Sequence, residues 1–159
     1  MTLRIIDMPD DSELQNLVAS TCVNYWKRDF PLDTSRWYLD LYADSLSGDE
    51  LPVVLVALQN GEFAGTASLI ADDELPDATE PGPWLAAVYV ADEYRGQGIG
   101  TALVGQLQQR AHALGISEIF LYTENGMPWY EAMGWQRLRT AELSGHDVTV
   151  MSLDVQASC

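Results

Sequence analysis

The sequence predicts an α/β fold: a mixed, mostly antiparallel central sheet of six or seven strands flanked by about four helices. Three observations carry this. Residues 53–58 and 63–70 are β-rich runs on either side of Asn60-Gly61, a dipeptide that favours the left-handed turn of an antiparallel hairpin. Residues 84–90, a glycine-rich turn, a helix-period segment and residues 117–123 give a strand–helix–strand order, which implies a parallel pair with a crossover. A second hairpin, around Ser144-Gly145, joins WQRLRTAEL to HDVTVMSLDV.

The remaining elements follow in chain order. LRIIDM, residues 3–8, is a short apolar run ending at Pro9 and a candidate strand. Asp10, Asp11 and Ser12 offer N-caps for a helix running to about Lys27, with Leu14, Leu17, Val18, Cys22, Tyr25 and Trp26 at helical spacing. A second helix begins near Thr34 and gathers Trp37, Tyr38, Leu41 and Tyr42 on one side. Most of these rings are expected in the core. Residues 71–83 read as an acidic, proline-bearing loop. Residues 84–90 are nearly all apolar, as in a central strand covered on both faces. From about Gly98 to Leu114, Ile99, Ala102, Leu103, Leu107 and Ala111 mark one helix face, and Gly115 is a suitable stop. GMPWYEAM is a short helix stopped by Gly134.

The 159 residues suit one domain, 1–159, with 47% apolar and 20% charged residues. No apolar run approaches the ~20 residues that span a bilayer, and MTLRIIDMPDD lacks the pattern of a signal peptide, so a cytoplasmic protein with no membrane contact is the expectation. Of the two cysteines, Cys22 is expected in the core and Cys159 at a free terminus. Neither makes a CxxC pair or a His/Cys spacing, so neither a metal site nor a disulfide framework is expected. A net charge of −16 repels phosphate backbones and argues against nucleic acid as a partner. It confers solubility and can steer a cationic ligand.

The stretch YRGQGIGTAL, residues 94–103, carries the chemistry. A helix N-terminus presents unpaired N–H groups, and glycine lets backbone approach an anion closely. A strand, a glycine-rich turn and a helix together form a phosphate cradle. Here Gly96, Gly98 and Gly100 fall at the turn and the first helical residues, and Thr101 adds a hydroxyl. The Gly-Lys-Ser/Thr of a nucleoside-triphosphate loop is absent. A dinucleotide fingerprint would need glycine at Leu103.

At these residues the chain resembles the GCN5-related N-acetyltransferases (GNAT). Arg95-Gly96-Gln97-Gly98-Ile99-Gly100 matches the family signature Arg/Gln-x-x-Gly-x-Gly/Ala, and WYEAMGW is similar to its Tyr-Glu-x-x-Gly-Phe segment, with Trp135 in place of Phe. The element order matches over nearly the whole chain. The resemblance implies the GNAT, or acyl-CoA N-acyltransferase, fold and acetyl-CoA as co-substrate, with its pyrophosphate on the main chain of residues 95–101. It further implies pairing of Val88, Tyr89 and Val90 with the pantetheine arm, in a slot where that strand splays from the one after it. Asn125 is a weaker candidate contact to the same arm, because TENGMPWY is shorter than many family versions of this loop.

The implied reaction is attack of an amine on a thioester. An alkylammonium with pKa near 10 must first lose a proton, and the departing thiolate takes one. Tyr130 matches the family tyrosine that protonates the sulfur. The base is open: WLAAVYV holds no carboxylate, and Glu80, Glu124 or a water chain could serve. No cysteine lies in these motifs, which favours direct transfer in a ternary complex. Specificity is expected from the first two helices, the 71–83 loop and the terminal hairpin, with Trp26, Trp37, Tyr38, Trp84, Trp129 and Trp135 as candidate walls. The acidic charge tilts the reading toward a cationic acceptor. The acceptor, a small-molecule amine or a peptide or protein N-terminus, stays open. So do a monomer or homodimer, a longer acyl group, a hydroxyl acceptor, and a non-catalytic acyl-CoA-sensing role.

Overall fold

The computed structural model describes residues 2–26, 34–73 and 75–156; Lys27 and Cys159 lie outside them. The elements are β1 (Leu3–Asp7), α1 (Ser12–Trp26), α2 (Ser35–Ser45), β2 (Val53–Gln59), β3 (Glu62–Ile70) and β4 (Trp84–Val90). They continue with α3 (Ile99–Ala113), β5 (Glu118–Thr123), α4 (Met127–Ala132), β6 (Gln136–Leu143) and β7 (His146–Asp154). The seven strands form one sheet in the order β1-β2-β3-β4-β5-β7-β6. The β4–β5 pair is parallel and the others are antiparallel.

Local chemistry fixes the ends. The Asp11 carboxylate accepts the Leu14 N–H at the start of α1, and the Thr34 hydroxyl accepts the Trp37 N–H at the start of α2. Asn60 and Gly61 (φ 53° and 85°) and Ser144 and Gly145 (φ 52° and 80°) make the paired left-handed turns of the two hairpins.

Alternation along the strands divides the apolar side chains between two helical layers. Leu55, Ala57, Ile119, Leu121, Met151 and Leu153 face one layer, where α3 buries Leu103, Val104 and Leu107 completely. Val54, Val56, Phe120 and Val150 face the other, packed against Val18, Cys22, Tyr38 and Tyr42 of α1 and α2. Cys22 is thus a core residue.

The central strand breaks this alternation. Ser68 pairs with Ala86 and Thr66 with Tyr89, so β4 spends one more residue than β3 between the two pairs. This is a β-bulge. Ala87 sits there with φ 54°, a left-handed conformation that costs a non-glycine residue roughly 1–2 kcal/mol. The extra residue inverts the side-chain phase. Leu85, Val88 and Val90 all pack on the α3 side, while Trp84, Ala86, Ala87 and Tyr89 lie toward α1. The expectation of a strand covered on both faces holds for residues 84–86, which are buried. Residues 87–90 are half-exposed, because there the sheet opens.

The acidic 71–83 loop is tied to the edge strand β6. Arg139 donates from Nε and Nη2 to Glu80 at 2.9 and 2.8 Å, and the Glu80 side chain is only 10% exposed. The hydrogen bond to Arg139 outweighs burial and holds the Glu80 carboxyl at about 2, below its ordinary 4.5. A carboxyl that is more acidic in the folded chain stabilises it most above its unfolded pKa, and that gain fades as pH falls through the folded value. Arg139→Gln is therefore expected to lower the urea midpoint at pH 6. The gap to wild type should shrink between pH 4.5 and pH 2; a gap constant over that range would contradict the pairing.

Candidate active site

β4 and β5 pair only at Trp84–Phe120. Beyond that point, among the described residues, no ladder pair joins them. A cavity of about 1310 Å³ occupies the parting, with residues 85–90 on one side and residues 121–126 on the other. Its walls come from both layers. Leu85, Val88, Leu121 and Tyr130 belong to the α3 core, whereas Trp37, Tyr38, Tyr122 and Val148 belong to the α1/α2 layer. The cavity is therefore a passage through the sheet. It is larger than the ~300–1,000 Å³ of a typical single-ligand pocket, which leaves space for two reactants.

One end of the passage is the glycine-rich turn. A short 3₁₀ turn, Asp92–Tyr94, leads from β4, and Gly96 and Gly98 then take φ 78° and 82°. Gly98 is the N-cap of α3, which has no side-chain cap. Ala102 makes the helix bond to the Gly98 carbonyl at 3.0 Å, so the N–H groups just before it have no partner one turn back in α3. A Cβ on Gly98 would find no heavy atom within 4 Å, so the cleft is open above this backbone. Free donors, open space and a positive φ together fit an anion held by main chain.

The side chains of this stretch have other tasks. Arg95 donates from Nε to the Val90 carbonyl (2.9 Å), pairs with Asp92 (2.9 Å) and lies 5.7 Å from the Tyr25 ring centroid. Its guanidinium pins the turn to β4 and α1. Gln97 is exposed and outside the cavity lining. Ile99 is buried in the core and offers the cleft its backbone, while Gly100 and Thr101 line the cavity.

Tyr130 enters from α4. Gly126 makes this possible: a Cβ there would meet Thr123 Oγ1 at 2.9 Å and the Tyr130 ring at 3.2 Å. Main-chain bonds from Met133 and Trp135 to the Tyr130 carbonyl close the turn, and Arg137 clamps Glu131 from β6. The ring is 8% exposed. Burial alone pushes its phenol well above the ordinary tyrosine range, so it stays protonated at neutral pH. Among the described residues no hydrogen bond engages the hydroxyl. It is a neutral donor facing the passage.

Glu124 lines the same passage just beyond β5, with Asn125 beside it. His146, the first residue of β7, places Nδ1 2.8 Å from Glu124 Oε1. Both side chains are about one-third exposed. Glu80 lies elsewhere, in a smaller hollow with Asp72, Asp77 and Trp84, and its carboxylate is held by Arg139. A carboxylate with a pKa of about 2 is a weak proton acceptor, so the structure separates the two candidate bases.

Val88, Tyr89, Val90, the glycine turn, Glu124, Asn125 and Tyr130 are thus brought to one cavity; Gln97 and Glu80 are not. Of the candidate walls, Trp26, Trp37, Tyr38 and Trp129 line it, while Trp84 and Trp135 fill the core. The sequence patterns single out neither Asp73 and Tyr122, which line the cavity, nor His146, which pairs with Glu124. The signal for Tyr122 was its strand alternation with Leu121. For His146 there was no local signal. Among the described residues, no group of three or more His, Cys, Asp or Glu is arranged to hold a metal, and no helix is long and apolar enough to cross a membrane.

Comparison with solved structures finds the same architecture. A GNAT-family acetyltransferase from Streptococcus pneumoniae superposes with a TM-score of 0.73 at 18% identity, over 96% of this chain and 99% of that one. An aminoglycoside 6'-N-acetyltransferase complexed with coenzyme A gives 0.74 at 15%, over 98% and 97%. N-acetylglutamate synthase from Neisseria gonorrhoeae, complexed with coenzyme A and N-acetyl-glutamate, gives 0.71 at 17%, over 98% of this chain and 35% of that one. At these identities the likeness is one of fold. The sequence model of the acetyltransferase (GNAT) family matches residues 18–135, from α1 through the glycine turn to the end of the Tyr130 segment, and the chain belongs to that family.

Proposed function

We propose that the chain transfers the acetyl group of acetyl-CoA to a primary amine by direct attack within a ternary complex. The observation that carries this is the passage between β4 and β5, with an uncapped glycine helix start at one end and a buried, protonated tyrosine along its wall. When bound, acetyl-CoA supplies a thioester, an electrophile that an amine can attack. The likeness to folds that hold coenzyme A supports the choice.

The main chain of residues 96–101 holds the pyrophosphate. The helix dipole contributes about 0.3–1 kcal/mol to such binding, whereas a hydrogen bond to a charged group contributes roughly 1.5–3 kcal/mol. Direct N–H bonds therefore carry the affinity, and their geometry depends on Gly98. Val88, Tyr89 and Val90 offer backbone to the amides of the pantetheine arm, and Asn125 flanks the same slot. Tyr130 gives its proton to the departing sulfur. Glu124 attracts the ammonium form of the acceptor and takes its proton, with His146 orienting the carboxylate. Among the described residues no thiol lines the cavity, since Cys22 is buried in the α1 layer; the amine attacks without a cysteine relay.

Three substitutions test these roles. Gly98→Val forces a β-branched residue into φ 82°, and coenzyme A affinity measured by calorimetry is expected to fall at least ~10-fold, about 1.4 kcal/mol, with the fold retained by circular dichroism. Unchanged affinity would remove the turn from the binding site. Tyr130→Phe is expected to lower kcat ~100-fold or more with coenzyme A affinity preserved. Full turnover in that variant would end the acid assignment. Glu124→Gln should likewise reduce kcat ~10–100-fold at constant coenzyme A affinity, and an undiminished rate would move the base to water.

A further inference from the structure

The α1/α2 side of the passage is built differently from the α3 side: its walls are aromatic. Trp26, Trp37, Tyr38, Tyr89 and Tyr122 line it from α1, α2, β4 and β5. Tyr25, Trp26 and Tyr89 form one edge-to-face cluster, with centroids 5.0 to 6.4 Å apart. Trp37 and Tyr38 form a second, at 4.9 Å. Among the described residues few charges stand against these rings, and the Arg95 guanidinium lies over two of them, 5.7 Å from the Tyr25 centroid and 6.0 Å from that of Tyr89. Among the described lining residues the acidic side chains are Asp73 and Glu124, and the basic one is Arg95, held by Asp92 and the Val90 carbonyl.

We propose that the acceptor is a primary monoamine carried on a flat apolar or aromatic body, an arylalkylamine, received between the rings of α1 and α2 with its amine directed to Glu124. This rests on the transfer reading above. A ring packs edge-to-face or offset on Trp and Tyr, and an ammonium is stabilised both by a carboxylate and by aromatic faces. Among the described lining residues a polyamine would find two carboxylates, Asp73 and Glu124, to meet its further charges against the rings. A free amino acid would bring its own carboxylate toward Asp73 and Glu124.

The experiment compares 2-phenylethylamine, ethylamine, spermidine and phenylalanine as acceptors by thiol release from acetyl-CoA. The expected kcat/KM for 2-phenylethylamine exceeds each of the others at least tenfold. Equal or better turnover of spermidine or phenylalanine overturns the proposal. Trp37→Ala is expected to raise KM for 2-phenylethylamine about tenfold while kcat and coenzyme A affinity hold, and Trp37→Phe to recover most of the loss. An unmoved KM counts against the subsite. Calorimetric titration of 2-phenylethylamine into protein saturated with coenzyme A gives a readout without turnover, and saturable binding that Trp37→Ala weakens about tenfold is expected. Coenzyme A binding without amine binding overturns this inference and leaves the transfer reading standing. Saturable amine binding with no thiol release from any acceptor overturns the transfer reading and leaves the subsite.

Discussion

At Ala87 the central strand adopts φ 54°, and from that residue onward its side chains face the opposite layer from the one an unbroken strand would give them. Two consequences follow. Val88 and Val90 turn toward α3 and Tyr89 toward α1, so the strand presents small apolar side chains on one side and an aromatic face on the other. The extra residue also interrupts β4's ladder with β3 at the height where its ladder with β5 has already ended. A strand in mid-sheet normally has no backbone to spare. Here the bulge and the parting expose main chain inside the molecule, and an extended ligand can use it. A strained conformation of roughly 1–2 kcal/mol is tolerable because the surrounding sheet determines it so fully.

The glycine turn solves a different problem. With a net charge of −16, the chain as a whole repels any polyanion. Binding one requires donors that act at contact distance, where screening over ~8 Å at physiological salt weakens the distant carboxylates but not the hydrogen bonds. Uncapped N–H groups at α3 meet that need without adding a formal charge. Arg95, the one cation among the described lining residues, is held by Asp92 and the Val90 carbonyl, where it shapes the turn. In the proposed site the tasks divide: backbone binds, and the guanidinium holds the backbone in place. The same acidity that opposes the anion favours a cationic partner arriving from the opposite end.

How much of this was legible in the sequence follows from how local each signal is. Asn60-Gly61 and Ser144-Gly145 announce their turns because only a few residue types accept two successive positive φ values. Thr34 marks α2 and Gly98 marks α3 for similarly local reasons. The bulge at Ala87 left no trace. In WLAAVYV every position is apolar, so a shift of phase changes nothing in the pattern, and alanine gives no hint of a left-handed residue. Glu124 and His146 are brought together because β7, not β6, lies beside β5. A hairpin read from its turn does not say which of its strands faces inward. The pairing of Glu80, one of the open candidates for the base, had no local signal for a related reason: its partner, Arg139, stands 59 residues away on the far edge of the sheet.

In sheets with parallel strands, ligands gather beyond the carboxyl ends of those strands, where neighbouring connections leave in different directions. β4 and β5 are the parallel pair of this sheet, and the rule places the chemistry at Val90 and Thr123. From β4 the chain turns into α3 and gives the uncapped helix start proposed to hold the anion. From β5 it supplies Glu124 at once and Tyr130 six residues later, so the proposed base and acid come from a single connection. The short length of that connection explains the need for Gly126, since a Cβ there would collide with both Thr123 and the Tyr130 ring. A longer loop could carry the tyrosine without glycine, but its hydroxyl would then be held less firmly. In the proposed reaction, compactness between β5 and α4 thus sets the separation between the group that takes the amine's proton and the group that protonates the sulfur.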